Sequence, residues 1–208
     1  MALTASFDDI APGLMLISVL MLVSHTSAFL AREWELRTLH RYRLARTGPL
    51  PLLAGTAVAL LVLASLTFGA MLGVAELAGF HNQGSYLDAY VVILLLSCAA
   101  VGLGFAVAAF ARGRDEAANV SALVAFPLGF LGGAFFTVPA LPLLPGSSTN
   151  AYDLLPSTQA MDALRGILGE GDGLAAVAGH VLALAAIACI LLVSGGLLFW
   201  RRRLQRAN

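Results

Sequence analysis

The chain has 208 residues, of which 59% are apolar and only 12% charged, with a mean hydropathy of +0.87. Soluble domains run at roughly 45–50% apolar and 25% charged, so an ordinary soluble domain is excluded and a polytopic membrane protein is implied. All twelve basic residues are arginine. Without lysine there is no G-x-x-x-x-G-K-[ST] phosphate loop, no Schiff-base lysine and no kinase-type lysine.

A spanning helix needs about 20 mostly apolar residues. Five stretches qualify, at about 10–31, 52–75, 87–111, 117–137 and 174–200. The first opens with Pro12 at a helix start, where the missing N–H costs nothing. Asp8 and Asp9 precede it with no basic residue, unlike a cleavable signal peptide.

Residues 32–46 are too polar to span. Glu33 and Arg37 stand at i, i+4 with the acid first, the favourable order for a helical pair. Leu36, Leu39, Tyr42 and Leu44 gather on one broad side, with Trp34, Thr38 and Arg41 on the other. This predicts an amphipathic helix ended by Gly48-Pro49. Two readings fit it: an anchor whose arginines meet anionic headgroups, or a docking helix for a cytoplasmic partner.

The later spans carry packing cues: Gly69 and Gly73 in the second, Gly104 and Ala108 in the third, Gly129 and Gly133 in the fourth. Small residues four apart let backbones approach closely. Pro127, in mid-span, predicts a kink in the fourth. Cys98 and Cys189 lie in apolar runs and read as small hydrophobic residues. The outer loop and helix occupy 138–173, with Pro139, Pro142, Pro145 and Pro156 followed by a short helix over 157–168. Met161, Leu164 and Leu168 fall on one side of it, and Gly169 and Gly171 are suitable stops. It reads as an amphipathic segment lying at or dipping into the outer membrane surface.

Arginine placement sets the topology. If all five spans cross, Arg32, Arg37, Arg41, Arg43, Arg46, Arg112, Arg114, Arg201, Arg202, Arg203 and Arg206 share one side with Glu33, Glu35, Asp115 and Glu116, for a net +7. The other side holds Arg165 alone against eight acids, for −7. The N-terminus is therefore expected outside and the C-terminus in the cytoplasm. The fold class expected is an all-α polytopic membrane protein, a single transmembrane domain over 1–208, with five transmembrane helices, N-out and C-in.

Chemistry inside the membrane has few candidates. Ser24, His25, Thr26 and Ser27 form a polar patch near the inner end of the first span. An intramembrane histidine suggests function, whereas neighbouring hydroxyls can also satisfy one another and the helix backbone. Phe126, Phe130, Phe135 and Phe136 suit either an apolar substrate or packing. His180 reads as a packing or interfacial residue, and Asp162 and Arg165 as an i, i+3 pair or a clasp on the outer helix. Gly146-Ser147-Ser148 lies in a proline-rich loop and no two acids lie within spans, which argues against an intramembrane protease. No H-E-x-x-H or C-x-x-C is present to suggest a metal.

Several short motifs occur in one order. Arg32-Glu33-x-Glu35-x-x-Thr38-Leu39 follows Ala11-Pro12-Gly13-Leu14 and precedes Thr47-Gly48-Pro49-Leu50. Then come Ala111-Arg112 through Asp115-Glu116-Ala117-Ala118-Asn119, Pro127-Leu128 with Gly132-Gly133-Ala134-Phe135-Phe136 and Pro139, and Leu155-Pro156 with Asp162-Ala163-Leu164-Arg165-Gly166. From about Ala11 to the C-terminus this resembles the permease subunit of ABC transporters of the type-two exporter class. The resemblance implies that 32–46 is a coupling helix seated in a separate ATP-binding subunit, with Arg32, Glu33, Glu35, Leu36, Arg37, Thr38, Leu39 and Arg41 making the contact. Leu36-Arg37 departs from the family's usual x-G before Thr-Leu. Family members also usually begin with a cytoplasmic N-terminus and one further span, absent before Ile10 here.

The function implied is ATP-driven export of a small amphiphilic molecule (drug, antibiotic or lipid-like) by alternating access at a subunit interface in the cell membrane. The permease itself would be no enzyme, would bind no cofactor and would contact no nucleic acid. ATP and Mg would sit on the partner ATPase. The partners implied are that subunit, a second permease (identical or related) and membrane lipid. Ser24, His25, Ser27, Phe126 and Phe130 would line the path, and Pro156, Asp162 and Arg165 would form an outer gate. A non-transporting membrane scaffold or immunity subunit on the same fold is the alternative.

Overall fold

A computed structural model describes residues 7–36, 49–134 and 150–205. These residues are helical, joined by short turns. The elements are α1 (Phe7–Leu20), α2 (Leu22–Glu35), α3 (Pro49–Leu77), α4 (Tyr86–Phe110), α5 (Arg114–Leu131), α6 (Pro156–Leu164) and α7 (Ala178–Phe199). Among the described residues, four stretches are long and apolar enough to cross a membrane: Ile10–Glu35, Leu50–Leu77, Tyr86–Phe110 and Ala178–Arg203.

The first of these joins α1 and α2. The break at Met21 is slight, because Met21 N–H still donates to the Ile17 carbonyl (3.1 Å) and His25 N–H to that of Met21 (3.2 Å). Pro12 lies inside α1 rather than at its start. Only one turn precedes it, so a single backbone bond is forgone. α3 opens on Pro49 with Pro51 in its first turn, where N–H groups have no helical partner.

α4 is the central helix, in contact with α1, α2, α3 and α7. Its contact with α7 is a direct approach of two backbones at Gly102 and Gly195. A Cβ added to Gly195 would lie 2.0 Å from the Gly102 carbonyl oxygen, and one on Gly102 would lie 2.4 Å from the Leu191 carbonyl carbon. The small-residue spacings noted in the sequence divide in the structure. Gly104 sits against the Thr26 side chain of α2 and Gly129 against Ile17, whereas a Cβ on Gly73 would meet nothing within 4 Å.

α5 is shorter than the expected 117–137. It starts at Arg114 and ends at Leu131, where Gly133 adopts a left-handed φ of 77° that L side chains rarely take. Its first turn holds Asp115 and Glu116, which suit the positive end of a helix. Residues 135–137 lie outside the described residues.

The outer helix needs a larger correction. The sequence suggests one apolar stripe, but the helix is buried nearly all round: Met161, Leu164 and Leu168 are enclosed, and so are Ser157, Ala160, Ala163 and Gly166. Ala163 and Gly166 lie on the side away from the Met161, Leu164 and Leu168 stripe, so neighbouring helices fit against the side expected to be polar. α1, α4, α5 and α7 surround it. A helix buried in protein keeps its backbone polar groups satisfied without reaching water. It stops at Leu164 and widens into one π-type turn, Arg165–Gly169.

Candidate functional site

The arginine-rich end of the bundle is built from the ends of four helices. α2 runs without interruption out of its apolar section into Arg32, Glu33, Trp34 and Glu35, where Leu36 N–H closes the last turn on the Arg32 carbonyl (2.9 Å). Arg32, Glu35 and Leu36 are exposed, and Glu33 and Trp34 half-buried. Arg37, Thr38, Leu39 and Arg41 of the expected coupling helix lie outside the described residues.

Glu35 reaches a neighbouring helix. α5 begins at Gly113, which has no side chain to cap it. The Glu35 carboxylate supplies the missing acceptor, taking the Arg114 N–H at 3.4 Å. Glu116 reaches back from the same turn to accept the Arg112 N–H at 2.9 Å. Both anions sit where the helix dipole is positive. The short turn between α4 and α5 is thereby fastened to the end of α2.

Arg203 ties in the fourth helix. Its guanidinium donates from Nε to the Ala108 carbonyl (3.3 Å) and from Nη2 to that of Ala111, at the C-terminal end of α4. These carbonyls have no helical N–H of their own, and a cation belongs at a helix C-terminus. The same guanidinium lies over the Trp34 ring at 4.9 Å, and Arg202 lies over Phe110 at 3.9 Å, both within cation–π range. α2, the α4–α5 turn and α7 thus form one joint at this end.

The expected path residues have other partners in the chain. Ser27 Oγ lies 2.6 Å from Ser121 Oγ and 3.3 Å from the Ala117 carbonyl, and Ser24 Oγ donates to the Ala118 carbonyl at 3.4 Å. These bonds hold α2 to α5. Thr26 donates to the Leu22 carbonyl within its own helix (2.7 Å). His25 is exposed, and its Nδ1–H donates to the Met21 carbonyl (2.9 Å). Phe126 and Phe130 are exposed on α5 beside Leu123. α5 therefore presents a broad apolar face away from α2.

At the opposite end the loops close on the buried helix. Pro156 occupies the first turn of α6 and is buried. Arg165 donates from Nη2 to the Gly133 carbonyl at 2.6 Å, so it clasps α6 to the end of α5. Gln159 links three elements: its Nε2 donates to the Asp153 carbonyl (2.6 Å), and its Oε1 accepts from His180 Nδ1–H on α7 (2.8 Å). Asp162 lies close by. Burial pushes its carboxyl above the ordinary carboxylate range, His180 and Arg165 pulling it down and Asp153 adding to the rise. Asp88 accepts the Leu174 N–H at 3.3 Å, and Gln83 N–H donates to the Leu168 carbonyl at 3.1 Å.

Sequence reasoning did not single out Arg203, Gln159 or the Gly102–Gly195 contact. Arg203 was one of a run of three arginines, and spacing alone does not say which of them turns back onto the bundle. No group of three or more metal-ligating side chains occurs among the described residues.

Comparison with known proteins agrees with this architecture. Residues 3–197 match the family described as ABC-2 family transporter protein. The chain is also 36% identical over 140 residues to Nodulation protein J of Rhizobium leguminosarum bv. trifolii, a match covering 66% of this chain. That match spans about half the relative's length, 51%. A multi-pass chain of apolar helices with this match is a protein of the cell membrane, and it belongs to the ABC-2 family of transporters.

Proposed function

We propose that this subunit exports a small amphiphilic molecule, using ATP hydrolysed by the separate partner subunit. In this reading five helices cross the membrane with the N-terminus outside and the C-terminus inside, α5 being the fourth. Residues 32–46 form the coupling helix. A second permease subunit, identical or related, completes the path, facing Leu123 and Phe126 on α5 and His25 on α2. The Pro156, Asp162 and Arg165 region gates the outer end.

The observation that carries this reading is the joint at the arginine-rich end. A push on the segment that follows Leu36 enters α2 through a continuous helix. It passes to α5 through Glu35 at Arg114, and to α4 and α7 through Trp34 and Arg203. A rigid lever of this kind is what a two-state rocking transition needs. The amphiphilic cargo follows from the apolar face of α5, which offers Leu123, Phe126 and Phe130 but no charged group.

The experiment is transport and ATPase activity in proteoliposomes with the cognate ATP-binding subunit. Reversing Glu33 to Arg is expected to uncouple export from ATP hydrolysis while membrane insertion stays intact. Reversing Glu35 adds loss of the α5 cap, so the two single variants separate docking from internal bracing. Unchanged transport after both reversals refutes the docking role. Stable binding of the ATP-binding subunit without substrate-dependent turnover favours the non-transporting scaffold or immunity subunit.

A further inference from the structure

A groove of about 530 Å³ runs between α3 and α7 over the edge of α4. Leu53 and Ala57 form one wall, Val193 and Trp200 the other, and Phe105 and Gly196 the floor. Every lining residue is apolar. Because α3 and α7 run in opposite directions, Leu50 lies level with Trp200 and Ala57 with Val193. At about 1.5 Å of rise per residue, the groove is roughly 10 Å long and parallel to the helix axes. It begins at the arginine-rich end, where Arg201 and Arg202 are exposed directly beyond Trp200.

We propose that this groove is a binding site for an anionic phospholipid of the cytoplasmic leaflet. One acyl chain occupies the groove, and the headgroup phosphate is paired with Arg201 and Arg202. Three observations select this occupant. The groove is open along its side and wholly apolar, so it suits a hydrocarbon chain and nothing that must hydrogen-bond. Its length matches the headgroup-proximal part of one leaflet, whose hydrocarbon is about 15 Å deep, half of the bilayer core. The arginines and the indole at its mouth stand at the level of headgroups, where cations attract anionic lipid and tryptophan sits by preference.

Gly196 keeps the floor low. A Cβ there would make ordinary contact with Leu53 (3.8 Å) and Phe105 (3.9 Å), so a larger side chain at this position fills the groove without displacing a helix. This contrasts with Gly195, which touches the backbone of α4.

Trp200 reports on the groove directly. The chain has two tryptophans, Trp34 and Trp200, so W34F leaves Trp200 as the sole emitter. The difference between the full chain and W200F gives the same signal should W34F fail to insert. The protein is reconstituted in phosphatidylcholine vesicles containing a minor fraction of lipid brominated near the headgroup end of its acyl chains. That lipid is either phosphatidylglycerol or phosphatidylcholine. Two arginines near the surface favour the anionic lipid by roughly tenfold or more, so brominated phosphatidylglycerol is expected to quench Trp200 at about a tenth of the mole fraction needed for brominated phosphatidylcholine. R201Q with R202Q is expected to abolish that difference, and G196L or A57L to weaken quenching by both lipids.

Equal quenching by the two lipids in the unmodified groove means ordinary boundary lipid and overturns the site. A difference that survives loss of both arginines overturns the headgroup assignment. Absence of quenching by either lipid also refutes the proposal, and V193C crosslinking to its copy in another chain then identifies a second subunit as what covers the groove.

Discussion

Replacing Gly195 with alanine adds one carbon, and the structure states what that carbon meets. It falls 2.0 Å from the Gly102 carbonyl oxygen, whereas ordinary contact begins near 3.4 Å. The obstacle is helix backbone and has no rotamer to escape into, so α4 and α7 must separate by more than an ångström along the largest helix contact in the bundle. Overpacking of this kind costs about 1–3 kcal/mol. For a chain of this size that is roughly 2–4 °C of melting temperature per kcal/mol. Gly196 is the internal control. It is the next residue on the same helix, yet an added Cβ makes only ordinary contacts at 3.8 and 3.9 Å. G196A gains the helix preference of alanine over glycine, about 1 kcal/mol at most, and is expected to be neutral or slightly stabilising. G102A meets the same contact from the other side, so G102A/G195A is expected to cost less than the two singles summed, one separation relieving both clashes. The measurement is thermal unfolding of the detergent-purified protein followed by size-exclusion chromatography. G195A as stable as G196A refutes the helix contact. Strict additivity of the double variant refutes a shared cause.

Three further expectations rest on side-chain bonds. S27A or S121A removes the short bond between the two hydroxyls across the α2–α5 contact and leaves the survivor with longer bonds to carbonyls (Ser27 to Ala117 at 3.3 Å, Ser121 to Val23 at 3.5 Å). Each is expected to cost about 1 kcal/mol, and the double variant less than the sum because the shared bond is lost only once. The check is a double-mutant cycle in the same melting assay. R203Q removes a charge-assisted cap on α4 and the stack on Trp34. A cycle with W34A is expected to show a coupling of about 0.5–1 kcal/mol, and a coupling of zero refutes the stack. Because burial raises the Asp162 carboxyl, the folded protein holds that proton more tightly than the unfolded chain does. The associated stability is present at low pH and lost as pH rises through the folded value. D162N is therefore expected to be more stable than the native chain at neutral pH and to flatten this slope. A slope unchanged in D162N assigns it to another group.

The positions of the helices were largely legible because the bilayer imposes a length and a polarity on each span. The stretches at 52–75 and 87–111 differ from α3 and α4 by only a few residues at each end. The errors arose where protein, and not lipid, is the surrounding medium. Apolar periodicity in 157–168 suggests a membrane surface, but the small residues at 163 and 166 admit neighbours on the opposite side, and amphipathic patterns carry no information about a second protein layer. The sequence misplaces the end of α5 because Gly133 reads equally well as half of the Gly129/Gly133 packing pair and as a helix stop, and only its backbone angle distinguishes the two.

The charged residues show the same division. The side of the membrane each is expected to favour is a bulk property, argued from the count of arginines. Whether a given carboxylate faces a partner protein or its own chain depends on a few ångströms of geometry. Glu33 and Glu35 are equivalent in the sequence motif, but only Glu35 bonds to Arg114 N–H. An acceptor supplied from a neighbouring helix replaces the cap that Gly113 cannot provide, so Glu35 contributes to holding α5 in place even without a bound ATPase. A motif can therefore combine two requirements: one acid to meet the engine, and another to ensure that what the engine moves is a rigid assembly of helices and not a single one. If that division holds, E33R lowers coupling at constant stability, whereas E35Q lowers the melting temperature before it affects transport.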